Sequence, residues 1–502
     1  MDTNFYDVVV CGGETTGLVA GAHLARRGLR VLLLGHEGDH AAFEAGGATL
    51  SRAPALLPPL DDAPAGRVLK ELDHIAVVRR RAPAARPALR VVLPGQQIDL
   101  SPDATATERE VARAFGATGA AVGAALARLG EVGRLVEPLL ASAITLPPHG
   151  FWERREVGRF ESLLPRPGTD LYAPLAVEHP FRAVAAAPAA LSTALVPHEI
   201  GMVAETRALE LARRGAHLLD GGLAGLHDIL LGRFETFGGD QRRRLTPVEV
   251  VVRRGRAVGI RVLPRDETIG CHRLIWAGPA ATLRAALGDA APSGARRGAA
   301  ALRVAGYRHA LALLCEPGAI PEGAPPRLIA IGDPSRPLAE DNAVAVTVGP
   351  AGARPGDRIP VWVECVVPTH AVEAGAGYLR ALRGRLLHVV GRLLPSLPAR
   401  LAVCASPYDG LPPEGRGVTS AEAAPARPLI PPPVYALSVP RAFDAMGLPH
   451  ETGIKHLTLA SRENLPGLGL EGELVSGWGL ARLLARGQAR PTTPQRRMLL
   501  GD

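Results

Sequence analysis

The apolar positions of this chain change period several times, and those changes predict its elements. Residues 6–10 (YDVVV) are nearly all apolar, the mark of a short buried strand. Residues 14–28 predict a helix whose Ala20, Ala22 and Ala25 let it lie close to a sheet, and Val31, Leu32, Leu33 and Leu34 a second strand. Residues 38–66 read as loop, with Gly46, Gly47 and several prolines. Residues 90–94 and 98–100 predict short strands about a turn at Gly95, 106–142 predict largely helix, and 151–210 helical stretches broken by prolines. In residues 221–237, Leu223, Leu226, Leu230 and Phe234 recur at helical spacing. Residues 248–252 and 257–262 predict the arms of a hairpin turning at 253–256, and 274–279 a buried strand ending in a Gly-Pro loop. Four further strands are predicted at 307–315, 327–332, 343–348 and 360–367. Leu379, Leu382, Leu386, Val390 and Leu393 then mark the core face of an amphipathic helix, and 405–434 is a connector rich in proline and glycine.

The opening strand, turn, helix and strand follow the plan of a dinucleotide site, whose signature is G-x-G-x-x-G. Here the segment reads Gly12-Gly13-Glu14-Thr15-Thr16-Gly17. Gly12 permits the tight turn and Gly17 the close helix packing, but Glu14 replaces the glycine that lets a pyrophosphate approach bare N–H groups. A carboxylate there either fills the anion site itself or swings out to solvent. At ~4 Å and an effective dielectric of ~20, a like-charge pair costs about 4 kcal/mol, roughly a thousandfold in affinity. The acid expected at the end of the second strand, for the ribose, is also replaced, by Gly35. Glu37 either reaches the ribose by a bend of the loop or is an ordinary loop acid.

Composition narrows the class. At 502 residues, with 47% hydrophobic and 21% charged residues, the chain is globular and long enough for a two-part fold. The net charge of +8 comes mostly from scattered arginines, which read as a solvated surface or as contact with an acidic membrane face. With aromatics at 4% and no basic stretch interleaved with them, no nucleic-acid partner is expected. The five cysteines, Cys11, Cys271, Cys315, Cys365 and Cys404, lack metal or redox spacing and read as buried thiols of a reducing compartment. No apolar run reaches the ~18 residues of a membrane span, and the chain starts on its first strand, so a cytoplasmic protein is expected, with peripheral contact to the inner membrane face left open.

The order of the fingerprint, the GGLAGL helix, the VEVVVRRGRAVGIRV hairpin, LIWAGPAA and the closing segment HLTLASRENLPGLGLEGELVSG (residues 456–477) resembles that of the flavin-dependent phytoene desaturases and related carotenoid-type oxidoreductases. The resemblance spans the chain, and the closing segment is its most specific part. It implies an α/β fold: a discontinuous Rossmann-like FAD-binding domain with an inserted α+β substrate domain containing an antiparallel sheet. The FAD-binding pieces would be residues 1–105, 211–295 and 441–502, and the substrate pieces 106–210 and 296–440. The implied cofactor is FAD. Gly12, Gly13, Glu14, Thr16 and Gly17 would stand at the pyrophosphate, with Glu37 toward the ribose. Val248 would contact the adenine side through its backbone. Gly469, Leu470 and Gly472 would approach the isoalloxazine and ribityl region. Arg462 is either a compensating charge for a phosphate or a surface arginine. Glu471 and Glu473 suit the positive end of the last helix.

The resemblance implies hydride removal from a lipophilic polyene or isoprenoid substrate, with the chemistry supplied by the flavin and an apolar slot by the protein. The two losses at the nucleotide site motivate the alternative, a cofactor-less relative that binds or escorts a protein partner or an apolar ligand. No catalytic residue is singled out. His179, His388 and His450 are candidates only as histidines, and each reads more simply as a surface or structural residue.

Overall fold

The computed structural model describes residues 5–36, 41–60, 64–84, 87–166, 168–215, 217–292, 302–350, 357–419, 428–437 and 443–486. The first strand, β1 (Phe5–Cys11), is followed by α1 (Thr15–Arg26) and by β2 (Val31–Leu34). β1 lies parallel to β2 on one side and to the strand Glu267–Trp276 on the other. These strands centre a seven-stranded sheet. The hairpin Thr246–Arg253 and Arg256–Leu263 extends it in antiparallel fashion. The short strand Leu457–Leu459 pairs with the end of Glu267–Trp276, so the sheet draws on the start, middle and end of the chain. α1 is buried almost throughout because it lies under the last helix, Gly469–Arg486, and beside Gly222–Thr236. A Cβ on Gly477 would stand 2.4 Å from the Thr16 carbonyl, which is why the two helices need glycine there.

A second, eight-stranded sheet is mostly antiparallel. Its spine is the strand Leu302–Cys315 against Ile359–Pro368, continued by Ala343–Val348 and Arg327–Ile331. Alternate residues of these strands point to opposite faces. One face, with Leu311, Val363, Val344 and Leu328, packs on the helix Ala376–Leu393 through Leu379, Leu382, Leu386 and Val390. The predicted stripe on that helix is thus core packing. The opposite face looks back toward α1 and the closing segment, and the cavity lies between.

The α/β expectation with an inserted antiparallel sheet holds. One stretch differs from its expected form. Residues 38–66 are not loop throughout: Ala42–Ala45 and Ala48–Ser51 form a hairpin. Its turn is Gly46-Gly47, both at positive φ (56° and 69°), which suits a tight two-residue connection. The largely helical run expected over 106–142 is present as three helices, Ala104–Phe115, Gly119–Leu135 and Glu137–Leu140, with a break at Gly116 (φ 50°). All five cysteines are free and buried.

Candidate functional site

A cavity of about 500 Å³ opens between the two sheets. One end is walled by Gly13, Glu14 and Thr15 of the turn before α1, another side by the closing loop from Leu465 to Leu470. Its floor is the inner face of the second sheet, with Arg308, Arg327 and Glu364.

The turn before α1 is tied down by the protein itself. Gly12, at φ 108°, donates its N–H to the Leu34 carbonyl at 2.8 Å. Ala277 donates to Cys11 O at 2.6 Å, and the Glu14 N–H reaches Ala277 O at 3.3 Å. A Cβ on Gly17 would fall 2.1 Å from the Ala277 Cβ, so this glycine serves helix packing. The Glu14 side chain does not swing out. Its Oε2 accepts the backbone N–H of Arg462 at 2.9 Å, joining residues 448 positions apart. Burial pushes its carboxyl up to about 8; Arg462 pulls the other way and Glu473 adds to the rise. The Arg462 guanidinium lies 3.9 Å from Glu473. Despite burial, which works against its charge, Glu473 and Glu14 hold that guanidinium firmly protonated.

The closing loop is latched just as closely. Glu471 is buried and takes the buried guanidinium of Arg207 in a two-pronged ion pair, Nε–Oε2 2.9 Å and Nη2–Oε1 2.6 Å, while Arg207 Nη1 reaches Glu137 at 2.8 Å. A partner from far up the chain, beyond any helix-end effect, therefore holds Glu471. Glu463 accepts from the Ala280 N–H at 2.7 Å and from the Tyr435 hydroxyl at 2.7 Å. Gly469, at φ 52°, has the Ser192 carbonyl 2.3 Å from where a Cβ would stand, and Gly472 has the Leu465 carbonyl at 2.6 Å. Both glycines make room for protein backbone.

Of the residues expected at a cofactor, Gly13, Glu14, Arg462, Gly469 and Leu470 line the cavity, whereas Gly12, Thr16, Gly17, Val248 and Gly472 do not. Glu37 lies outside the described residues. The Thr16 hydroxyl is buried in the first turn of α1 without a hydrogen-bond partner. None of the three candidate histidines lines the cavity. His450 is buried between the Leu459 and Leu146 carbonyls (2.8 and 3.2 Å), His179 meets the Thr118 hydroxyl at 3.0 Å, and His388 is exposed. The histidine that does line it is His227, whose Nε2 sits 3.1 Å from Thr15 Oγ1. Burial, with help from Arg462 and Arg52, pushes His227 down to about 4, so its ring is neutral at ordinary pH. Its partner stands 212 positions away, so local sequence gave no hint of it.

The fit of FAD is decided at its ADP half. The N–H of Arg462, beside the fingerprint turn, is taken by the Glu14 carboxylate. The place for a ribose-binding acid is filled as well: a Cβ on Gly35 (φ 66°) would be 2.6 Å from the Pro247 ring. An acid at that position has neither the space nor the backbone conformation. Position 35 therefore supplies no ribose acid and Glu14 sets a carboxyl beside the fingerprint turn, while the cavity beyond Glu14 is roomy.

The architecture is the FAD-binding oxidoreductase fold. An oxidoreductase from Methanosarcina mazei superposes with a TM-score of 0.60 at 15% identity, over 96% of this chain and 100% of that one. Wild-type putrescine oxidase bound to putrescine gives 0.57 at 13%, covering 96% and 98%. Cyclohexylamine oxidase from Brevibacterium oxydans gives 0.54 at 13%, covering 96% and 99%. At such identities the likeness is one of fold. No protein-family model matches the chain, and neither does any curated protein. Among the described residues no helix is long and apolar enough to cross a membrane, and no side-chain group is arranged to hold a metal ion.

Proposed function

We propose that this chain keeps the flavin-oxidoreductase fold as a container for an apolar-bodied ligand and holds no conventional FAD. The observation that carries the reading is the buried Glu14 carboxyl on the Arg462 N–H, a protein group beside the turn where an anionic cofactor would be received. The Pro247 ring against Gly35 supports it from a separate element. The cavity walls beyond Glu14, among them Leu56, Leu191, Leu211, Leu223 and Leu468, suit a lipophilic body. On this reading the protein binds or carries its ligand, alone or for a protein partner.

A second reading, an FAD-dependent oxidoreductase acting on a polyene or isoprenoid substrate, is favoured by one observation. The cavity is bounded by Gly13 and by the loop Leu465–Leu470, where the resemblance implies the flavin ring. The test is the visible absorbance of the purified chain before and after addition of FAD and desalting. We expect no retained flavin, and none in Glu14→Gly either, because position 35, held against Pro247, still supplies no ribose acid. Stoichiometric flavin that survives desalting in the unaltered chain overturns the first reading and establishes the second.

A further inference from the structure

The floor of the cavity carries charges that the fold satisfies only in part. Arg308 pairs across to Val366, while Glu364 pairs with Ala310 on one side and Ala345 on the other; Ala345 in turn faces Ile329. Residues opposite each other, and those two apart along a strand, share a sheet face. Arg308, Glu364 and Arg327 therefore project from one face, toward the cavity they line.

Each is placed in otherwise apolar strands, and each is under-committed. Arg327 is 7% exposed, and the one hydrogen bond its guanidinium makes among the described residues is to the Leu191 carbonyl at 3.2 Å. Arg308 gives its Nη2 to the Thr193 carbonyl at 2.6 Å and, at 3.4 Å, to that of Ala190. Its Nη1 is buried with no partner among the described residues. Glu364 is 4% exposed; no hydrogen bond to its carboxyl is found among the described residues, and Arg308 and Arg327 act on it through their charge. The Tyr408 side chain, 7% exposed, also lines this end of the cavity. Burial lowers Arg327 only to about 10, so it stays charged in neutral solution, while burial raises Glu364. Buried polar groups without partners are costly, and a native fold retains them where something else completes them.

We propose that Arg308 and Arg327, with Glu364 beside them, form a subsite for the carboxylate head of an amphipathic organic acid whose apolar body lies along the leucines of the cavity wall. Two guanidiniums and one carboxyl carry a single net positive charge when Glu364 is ionised, which matches a monoanion. Planar guanidinium forks suit the two oxygens of a carboxylate. The proposal rests on the reading of the cavity as a ligand container and adds the ligand's chemical class. It also sets the ligand apart from a polyene hydrocarbon, which would offer none of the three groups a further partner.

The experiment is calorimetric titration of the full chain with dodecanoate and with dodecanol, which share an apolar body and differ in the head. The unaltered protein is expected to bind dodecanoate at least about tenfold more tightly, the effect of one charge-assisted hydrogen bond. Arg308→Met and Arg327→Met are each expected to weaken dodecanoate by about tenfold and to leave dodecanol unchanged. Equal affinity for the two ligands in the unaltered chain overturns the head-group site while leaving the container intact. Variants that fold yet keep the preference for dodecanoate overturn it too. Binding of neither ligand overturns both the site and the container, and the comparison in the unaltered chain decides even where a variant fails to fold.

Discussion

The two ends of the cavity treat buried polar groups in opposite ways. At the turn before α1, Glu14 has the Arg462 N–H, Gly12 has the Leu34 carbonyl and Thr15 has His227. On the sheet floor, Glu364 has no hydrogen-bond partner among the described residues, and Arg308 Nη1 has none. Both ends are rich in charge, so charge alone does not mark a binding site. The difference is one of degree: at the first end the groups that line the cavity, Glu14 and Thr15, have protein partners and only the Thr16 hydroxyl behind them has none among the described residues, whereas on the floor a guanidinium nitrogen and a carboxyl facing the cavity are left for a ligand. A fingerprint can thus persist in sequence after its vacancy has been filled.

The strongest way to break this comparison is to cut the latch that holds the first end. Arg207→Met leaves the buried Glu471 as a carboxylate without its guanidinium, while Glu137 keeps Arg214. Breaking a buried ion pair on one side costs about 3–5 kcal/mol. Denaturant melts should therefore show a large loss of stability. A loss within about 0.5 kcal/mol, as for an ordinary surface change, would mean that the closing loop is not held by protein contacts and that the first end is not self-completed.

Glu14→Gln sharpens the same point through pH. In the unfolded chain Glu14 titrates as an ordinary carboxyl, near 4.5, and in the folded chain near 8. The folded state therefore binds more protons between those values, and the unaltered protein loses stability as pH rises through that window. Glutamine has no proton to lose. The stability of Glu14→Gln relative to the unaltered chain should rise from pH 5 to pH 8 and then level off, by about 2–4 kcal/mol in all. A difference that stays flat across the window would mean that Glu14 is solvated, as in the outward-swung alternative, and the first end would then be open.

Much of the fold was legible because period and punctuation are local. The apolar run of β1, the Gly12 turn, the helical spacing of Leu223, Leu226, Leu230 and Phe234, and the stripe from Leu379 to Val390 each report their own element. The hairpin at Gly46-Gly47 is hard to read from sequence because its short arms carry little alternation and paired glycines suit a loop as well as a tight turn. The damage at Glu14 and Gly35 was visible, but its outcome depended on Arg462 and Pro247, which only the fold brings near. The floor had a signal that went unread. Glu364 interrupts the apolar run VWVECVV and Arg327 opens the strand RLIAI, and a lone charge inside a buried strand calls for a partner. Which face these side chains share follows from register between strands, which the sequence does not display.

The finest test falls on the border between the two ends. Thr15 and His227 both line the cavity, yet they satisfy each other at 3.1 Å. Because burial keeps the imidazole neutral, the pair is an ordinary hydrogen bond with no charge for an anionic ligand to seek. Thr15→Val keeps the shape and removes the hydroxyl, which should cost about 1 kcal/mol in a denaturant melt. Dodecanoate affinity should not change, since the head-group charges project from the sheet floor. Were Thr15→Val to weaken dodecanoate as much as Arg327→Met does, the carboxylate would sit at the α1 end, and the line drawn between a completed end and an open one would have to move to the far side of His227.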